Sequence, residues 1–128
     1  MKMDQVTKQI IGCAFRVHNG LGSGFLEKVY ENALCIELRE AGFKVLQQHP
    51  VPVYYRNIMV GDYFADLLVD DQIVVEIKAV ENLAPIHEVQ VVNYLAGTNL
   101  DTGLLINFGQ SVEVKRKFRT YKPKDPAA

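Results

Sequence analysis

The chain has 128 residues, 48% of them hydrophobic, and a formal net charge of −1 at pH 7. This length and apolar content predict one domain over residues 1–128, with a core over about residues 5–120 and a basic tail over residues 121–128. A charge so close to zero excludes a global attraction to nucleic acid. Phosphate binding would therefore need a local basic patch or a bound metal.

Cysteine usage and the N-terminus indicate the cellular setting. Cys13 and Cys35 fall at apolar positions of predicted helices, and the sequence carries neither a signal-peptide pattern nor an apolar span of about 20 residues. These features predict a cytoplasmic protein that does not enter a membrane. Two cysteines and three scattered histidines (His18, His49 and His87) argue against a structural zinc site.

Two amphipathic helices are predicted before any strand. Apolar side chains recur at helical spacing over residues 4–18, where Asp4 is available as N-cap, and again over about residues 25–41. The glycine-rich segment 19–24 predicts the turn between them. A phosphate-binding loop is the weaker interpretation of this segment, because no strand precedes it and the motif lysine is missing.

Glu27 occupies an unusual position in the second predicted helix. At 100° per residue it lies within about 60° of Tyr30, Leu34 and Leu38, at the edge of the buried face. From the helix alone, the preferred interpretation is a favourable interaction with the positive end of the helix dipole. A role in a functional site is the alternative.

From residue 43 the pattern changes to alternating β-formers. Strands are predicted over residues 43–46, 51–55 and 58–66, with a turn at Arg56 and Asn57. A proline at position 52 removes one ladder donor, which suits an edge strand.

A third helix is predicted over residues 86–96, ended by Gly97, and two strands follow over residues 103–108 and 111–118. The resulting order, ααβββαββ, predicts an α/β fold with α+β character, in which helices flank a central mixed sheet.

Residues 63–79 predict a β-hairpin with charged residues on apolar strands. Glu76 and Lys78 project to the same face, because side chains alternate along a strand. If residues 70–72 form the turn, the antiparallel register places Asp66 opposite Glu76. Like charges opposite each other are destabilising, and charges in an apolar strand are costly unless paired or metal-bound. The pattern therefore indicates a cation site, with a structural ion-pair cluster as the alternative.

The C-terminal region carries a run of basic residues, which are Lys115, Arg116, Lys117, Arg119, Lys122 and Lys124. They form the candidate patch for nucleic-acid phosphates. An equally weighted interpretation is a solvated edge strand and tail, which charge protects against aggregation.

Three motifs resemble the PD-(D/E)xK nuclease superfamily, and they follow one another along the chain in the order found there. Asp66 with the segment 76–78 resembles its D…E-x-K core, although Ala65 stands where that core carries a proline. Ahead of it, the segment 24–30 matches the G-x-x-E-x-x-Y signature of the GxxExxY group in that superfamily. Behind it, the segment 90–94 is similar to the Q-x-x-x-Y element of the exonuclease-like branch.

The resemblance implies a restriction-endonuclease-like core and a metal-dependent nuclease that hydrolyses phosphodiester bonds, with DNA as the expected substrate and Mg²⁺ or Mn²⁺ as cofactor. The catalytic residues it implies are Glu27, Asp66, Glu76 and Lys78. We expect these four side chains to converge in one pocket. Their three negative charges and one positive charge leave −2, which one divalent cation would neutralise.

The resemblance also implies finer roles. The implied metal ligands are Asp66, Glu76 and the backbone carbonyl of Ile77, with Glu27 as a further candidate. Gln90 and Tyr94 would position the nucleic-acid substrate or Lys78. The nucleic-acid-binding candidates are Lys115, Arg116, Lys117 and Arg119.

The alternative function is a non-catalytic module that binds nucleic acid or another protein on the same framework. A homodimer and a protein partner both remain open. The sequence does not choose between DNA and RNA, or between single and double strands.

Overall fold

Residues 2–119, which a computed structural model describes, form three helices and five strands in the predicted order ααβββαββ. The elements are α1 (Met3–Leu21), α2 (Glu27–Glu40), β1 (Val45–Tyr55), β2 (Ile58–Val69), β3 (Ile73–Lys78), α3 (Pro85–Thr98), β4 (Thr102–Phe108) and β5 (Val112–Phe118). Within this part of the chain, no helix is long and apolar enough to cross a membrane.

The five strands form one mixed sheet in the order β1-β2-β3-β4-β5. Neighbouring strands are antiparallel except β3 and β4, which are parallel and are joined by the crossover helix α3. β1 and β5 are the two edges, so the proline at position 52 lies on an edge strand, as predicted.

Helices cover both faces of the sheet. On one face, α1 and α2 bury apolar side chains such as Ile10 and Leu38 against inward residues of all five strands, including Leu67. On the other face, α3 packs Leu95 against Val51 of β1 and Val74 of β3. The sheet is therefore the middle of three layers, which confirms the predicted architecture.

Three helix ends differ from the sequence prediction. α1 begins at Met3 with Lys2 as N-cap, so Asp4 lies in the first turn and does not cap the helix. α1 continues through Gly20 to Leu21 and ends at Gly22, whose φ of 73° suits glycine. α3 continues through Gly97 and ends at Asn99, which adopts the left-handed conformation. A Cβ atom on Gly97 would lie 2.7 Å from Val51 Cγ1, so this glycine permits close packing of α3 on β1 and does not end the helix.

The β1–β2 hairpin extends beyond the rest of the sheet. β1 is one continuous strand where two were predicted, because β2 pairs with it over nearly its whole length. β3, in contrast, pairs with β2 only at Leu67, Leu68 and Val69. We call the distal part of this hairpin, residues 53–64, the arm. It turns at Arg56 and Asn57, whose φ angles of 51° and 64° fit a two-residue hairpin turn.

Candidate active site

The β2–β3 hairpin has the predicted register. Val69 pairs with Ile73 and Leu67 with Val75, so the next opposing pair would be Asp66 and Glu76. The turn forms at the predicted residues, with Asp70 and Asp71 both at positive φ.

At Asp66 the backbone ladder between β2 and β3 gives way to side chains. The Asp66 N–H donates to Glu76 Oε1 at 3.1 Å, and the Ile77 N–H donates to Asp66 Oδ2 at 2.8 Å. Each carboxylate thus accepts a backbone bond from the opposite strand. The two acids are held side by side in a gap where the strands separate.

The ladder is also interrupted on the β1 side of Asp66. Gln47 pairs with Leu67 and His49 with Ala65, but no pair forms between Gln48 and Asp66, and Gln48 has a φ of 53°. A glutamine in this conformation costs on the order of 1–3 kcal/mol, and such strain concentrates at functional sites.

The interruption changes the faces of β2. Strict alternation would put Leu67 and Ala65 on one face, yet Leu67 packs with α1 and α2 whereas Ala65 packs with α3. Asp66 is the residue at which the strand changes face. Its carboxylate therefore lies along the sheet, where both neighbouring strands can reach it.

Glu76 is an acid buried beside another acid. Only 7% of its surface is exposed. Burial first, and then the charge of Asp66, raise the pKa of Glu76 to about 9, although the nearby charge of Lys78 lowers it. At neutral pH the metal-free pair therefore holds a proton that a bound cation would displace.

We expect the metal-free protein to lose stability as the pH rises from about 4.5 toward 9. Glu76 in the unfolded chain loses its proton near 4.5, whereas the folded protein keeps it up to about 9, so unfolding between these values releases a proton. Glu76→Gln has no such proton, and its free energy of unfolding should depend less on pH. Urea unfolding in EDTA at several pH values within this window measures both slopes. Equal slopes for the two proteins would contradict the raised pKa.

Glu31, which the sequence analysis did not single out, is the α2 acid that connects to Asp66. It is only 4% exposed. The Gln48 side-chain amide donates to Glu31 Oε1 at 3.0 Å and to Asp66 Oδ1 at 3.2 Å. Gln47 and Lys28 each contact Glu31 Oε2 at 2.8 Å. The strained Gln48 is thus the link between α2 and the acid pair.

The helical spacing of Glu31 was the signal that could have identified it. Glu31, Leu34, Cys35 and Leu38 follow the i, i+3, i+4, i+7 spacing of the buried stripe. Glu27 lies one turn before Glu31 and is exposed. The structure therefore places Glu31, rather than Glu27, in the network around Asp66.

The remaining sequence-predicted residues lie on two sides of the acid pair. Tyr94 of α3 is half-buried and packs against the apolar cluster that includes Ala65, the residue before Asp66. Its pKa is raised by burial and then by the charges of Glu76 and Asp66. Lys78 is partly buried, on the same strand and face as Glu76. Gln90, one turn before Tyr94, is exposed.

An open groove of about 720 Å³ runs between α3 and the β1–β2 hairpin. Tyr63, Gln90, Asn93 and Tyr94 are among the residues that line it, and the rings of Tyr63 and Tyr94 lie 6.4 Å apart. Because Tyr94 also packs on the cluster that includes Ala65, the groove borders the part of β2 that carries Asp66.

The predicted basic patch divides between the two faces of β5. Lys115 is exposed and aligns with Leu105 of β4 and Glu76 of β3, so it lies on the face of the acid pair. Arg116 points to the other face, where its guanidinium lies 3.8 Å from Asp4 of α1.

Two further basic residues are engaged in ion pairs, at 3.2 Å between Lys117 and Glu88 and at 3.1 Å between Arg119 and Asp101. Lys122, Lys124 and the tail lie outside the described residues.

The donor set at the acid pair suits a hard divalent cation. Among residues 2–119, no group of three or more His, Cys, Asp or Glu side chains could hold a metal ion. Asp66 and Glu76 supply two carboxylates. Because the N–H and C=O of one strand residue point to the same neighbouring strand, we expect the Ile77 carbonyl on the side of its N–H, toward Asp66. Mg²⁺ keeps several waters and needs only one or two carboxylates, so this set fits it.

The central strands of this mixed sheet separate around two carboxylates, and a lysine follows two residues after the second of them. This arrangement is that of a nuclease-like fold. The chain belongs to the PD-(D/E)XK nuclease superfamily, since a family model of that description matches residues 4–119. Nucleases of this superfamily generally use divalent metals. A search of curated proteins finds no significant match.

Proposed function

We propose that the protein is a metal-dependent nuclease that hydrolyses phosphodiester bonds of DNA, with Asp66, Glu76 and Lys78 at its active site. The observation that carries the proposal is the pairing of Asp66 and Glu76 at the break in the ladder. Stability alone does not favour two adjacent acids in a sheet, one of them with a pKa of about 9. The match of segment 24–30 to the G-x-x-E-x-x-Y signature supports placement in the GxxExxY group.

The proposed metal ligands are Asp66, Glu76 and the Ile77 carbonyl. A bound Mg²⁺ or Mn²⁺ would polarise the phosphodiester and lower the pKa of the attacking water. Asp66 and Glu76 have fixed positions, because each accepts a backbone N–H from the opposite strand. This preorganisation holds the acids in place before substrate arrives.

Lys78 is the proposed group that acts on the reacting phosphate. Its ammonium would orient the attacking water or stabilise the negative charge that develops on the phosphorane as water adds and the bond to the leaving oxygen breaks. Tyr94 and Gln90, which both line the groove, would position the nucleic-acid strand.

Glu31 is proposed as the α2 acid that supports the site, and Glu27, which is exposed one helical turn earlier, as the second candidate for that role. Glu31→Gln should lower the cleavage rate at least about tenfold more than Glu27→Gln. The Glu31 carboxylate accepts a hydrogen bond from the Gln48 side-chain amide, which also donates to Asp66, and the change removes the charge of that carboxylate. The two changes are chemically matched and one helical turn apart. Single-turnover cleavage rates test this, and a larger loss in Glu27→Gln would restore Glu27 as the principal acid.

Lys115 is the proposed phosphate contact on the site face of β5. Lys115→Ala should weaken nucleic-acid binding and reduce the slope of log K against log salt concentration by about 1. Arg116→Ala is the matched control, since Arg116 points to the opposite face and pairs with Asp4. Fluorescence anisotropy at several salt concentrations measures both slopes. A smaller slope in Arg116→Ala but not in Lys115→Ala would place the strand on the other face.

The test of the proposed function is cleavage of single- and double-stranded DNA and RNA, with Mg²⁺, with Mn²⁺ and with EDTA. We expect metal-dependent cleavage of DNA that Glu76→Gln lacks. Binding of nucleic acid without cleavage of any substrate would instead support the alternative, a non-catalytic binding module.

A further inference from the structure

The arm, residues 53–64, exposes an unusual amount of apolar surface. Eight large hydrophobic side chains within it are between 38% and 68% exposed. Alternation along β1 places Tyr54 on one face and Tyr55 on the other, so neither face is polar. Antiparallel sheets usually have one apolar and one solvated face. The arm, in contrast, has two apolar faces.

Among the described residues the arm has no neighbouring helix other than α3, from which an open groove separates it, with the rings of Tyr63 and Tyr94 6.4 Å apart. Its ladder with β1 reaches the turn at Tyr55 and Ile58, but over residues 2–119 no strand pairs with residues 58–65 on the other edge of β2. A two-stranded hairpin is at best marginally stable alone in water. The free edge of β1 carries Pro50 and Pro52, which block strand addition, whereas the free edge of β2 in the arm has no proline.

We propose that the arm is a dimerisation element, and that it packs against the arm of a second copy of this chain about a twofold axis. One surface with the same apolar chemistry on each copy is what an isologous interface requires. The eight side chains expose roughly 800 Å² in total over both faces of the arm. Two arms that clasp each other, and so cover both faces, would bury about the area per partner of a standard protein interface.

Charge favours a second copy over a nucleic-acid strand as the occupant of the arm. Between residues 51 and 64 the only charged residues are Arg56 and Asp62, so the arm has no net charge. A nucleic-acid surface needs a surplus of cations to neutralise phosphates. An apolar surface without net charge is instead typical of the buried centre of a homodimer interface.

Sedimentation equilibrium of the full chain over a wide concentration range tests the proposal. The wild-type protein should dimerise, and Ile58→Lys should raise the dimer dissociation constant by about 30-fold or more, the effect of a charge at an interface hot spot. Ile36→Lys on α2 is the matched control, because Ile36 is 58% exposed and Ile58 68%. Tyr54→Ser, on the other face of the arm, should also weaken the dimer.

Three results would overturn the proposal. The first is a wild-type protein that stays monomeric at every concentration. The second is a dimer that Ile36→Lys weakens as much as Ile58→Lys does. The third is a monomeric wild-type protein that binds single-stranded DNA and loses this binding in Tyr54→Ser. The last result would assign the arm to nucleic acid. Cleavage is not measured here, so failure of the proposed nuclease function and failure of the dimer are distinguishable.

Discussion

Lys78→Ala is expected to reduce cleavage by about 10³-fold, the loss that follows removal of one preorganised group that stabilises transition-state charge. Lys78 lies two residues after Glu76 on the same strand, so its side chain projects on the same face as that of Glu76. Metal binding should be retained, because a lysine repels a cation and does not ligate it. Single-turnover cleavage and calorimetric metal titration separate the two effects.

Lys44→Ala is the control for this experiment. Lys44 is an exposed lysine that pairs with Asp71 at the turn of the same hairpin, 2.9 Å away, so its loss should leave cleavage unchanged. Robust cleavage by Lys78→Ala would mean that the active site lies elsewhere or that the activity belongs to a contaminant.

Asp66→Ala is expected to abolish both cleavage and the stabilisation of the protein by metal. Mg²⁺ or Mn²⁺ at about 100 times its Kd should stabilise the wild-type fold by about 2.7 kcal/mol, which corresponds to a rise in Tm on the order of 10 °C. Asp66→Asn and Glu76→Gln should respond less, because each removes one carboxylate charge. Differential scanning fluorimetry with metal and with EDTA measures the rise.

Asp71→Ala provides a matched carboxylate control on the same hairpin. Asp71 is exposed at the turn, away from the break in the ladder, so its variant should keep the full rise in Tm. If the wild-type protein, Asp66→Ala and Asp71→Ala all respond alike, the cation does not bind at Asp66.

Much of this site follows from local rules of strand geometry. Alternating apolar residues and two aspartates at the turn set the hairpin register, and that register alone brings Asp66 opposite Glu76. Alternation also places Lys78 on the face of Glu76. These relations depend on the geometry of the hairpin alone and not on the rest of the fold.

Other features of the site depend on tertiary contacts that a sequence pattern does not encode. The positive φ of Gln48 and the change of face at Asp66 arise because side chains replace the ladder on both sides of β2. The continuous β1 strand exists because β2 pairs along it, even though its polar residues 47–49 do not resemble a strand. Glu31 lies on the buried stripe of α2, whereas the motif at residues 24–30 contains Glu27. A sequence pattern does not show which of two acids one helical turn apart reaches the sheet.

The basic patch shows the same limit of a linear pattern. Lys115, Arg116 and Lys117 are contiguous in sequence, yet strand alternation sends Arg116 to the face opposite the other two. Lys117 is then paired with Glu88 of α3. A run of charges on a strand therefore divides between faces, and the register decides which residue can meet the substrate.

The central claim is that Asp66 and Glu76 form a cation site, and titration calorimetry with Mn²⁺ tests it without knowledge of the substrate. The account predicts binding of one ion per chain by the wild-type protein, with release of the proton that Glu76 holds at neutral pH, and no binding by Asp66→Ala. Absence of binding by the wild-type protein, or equal binding by both proteins, would contradict it.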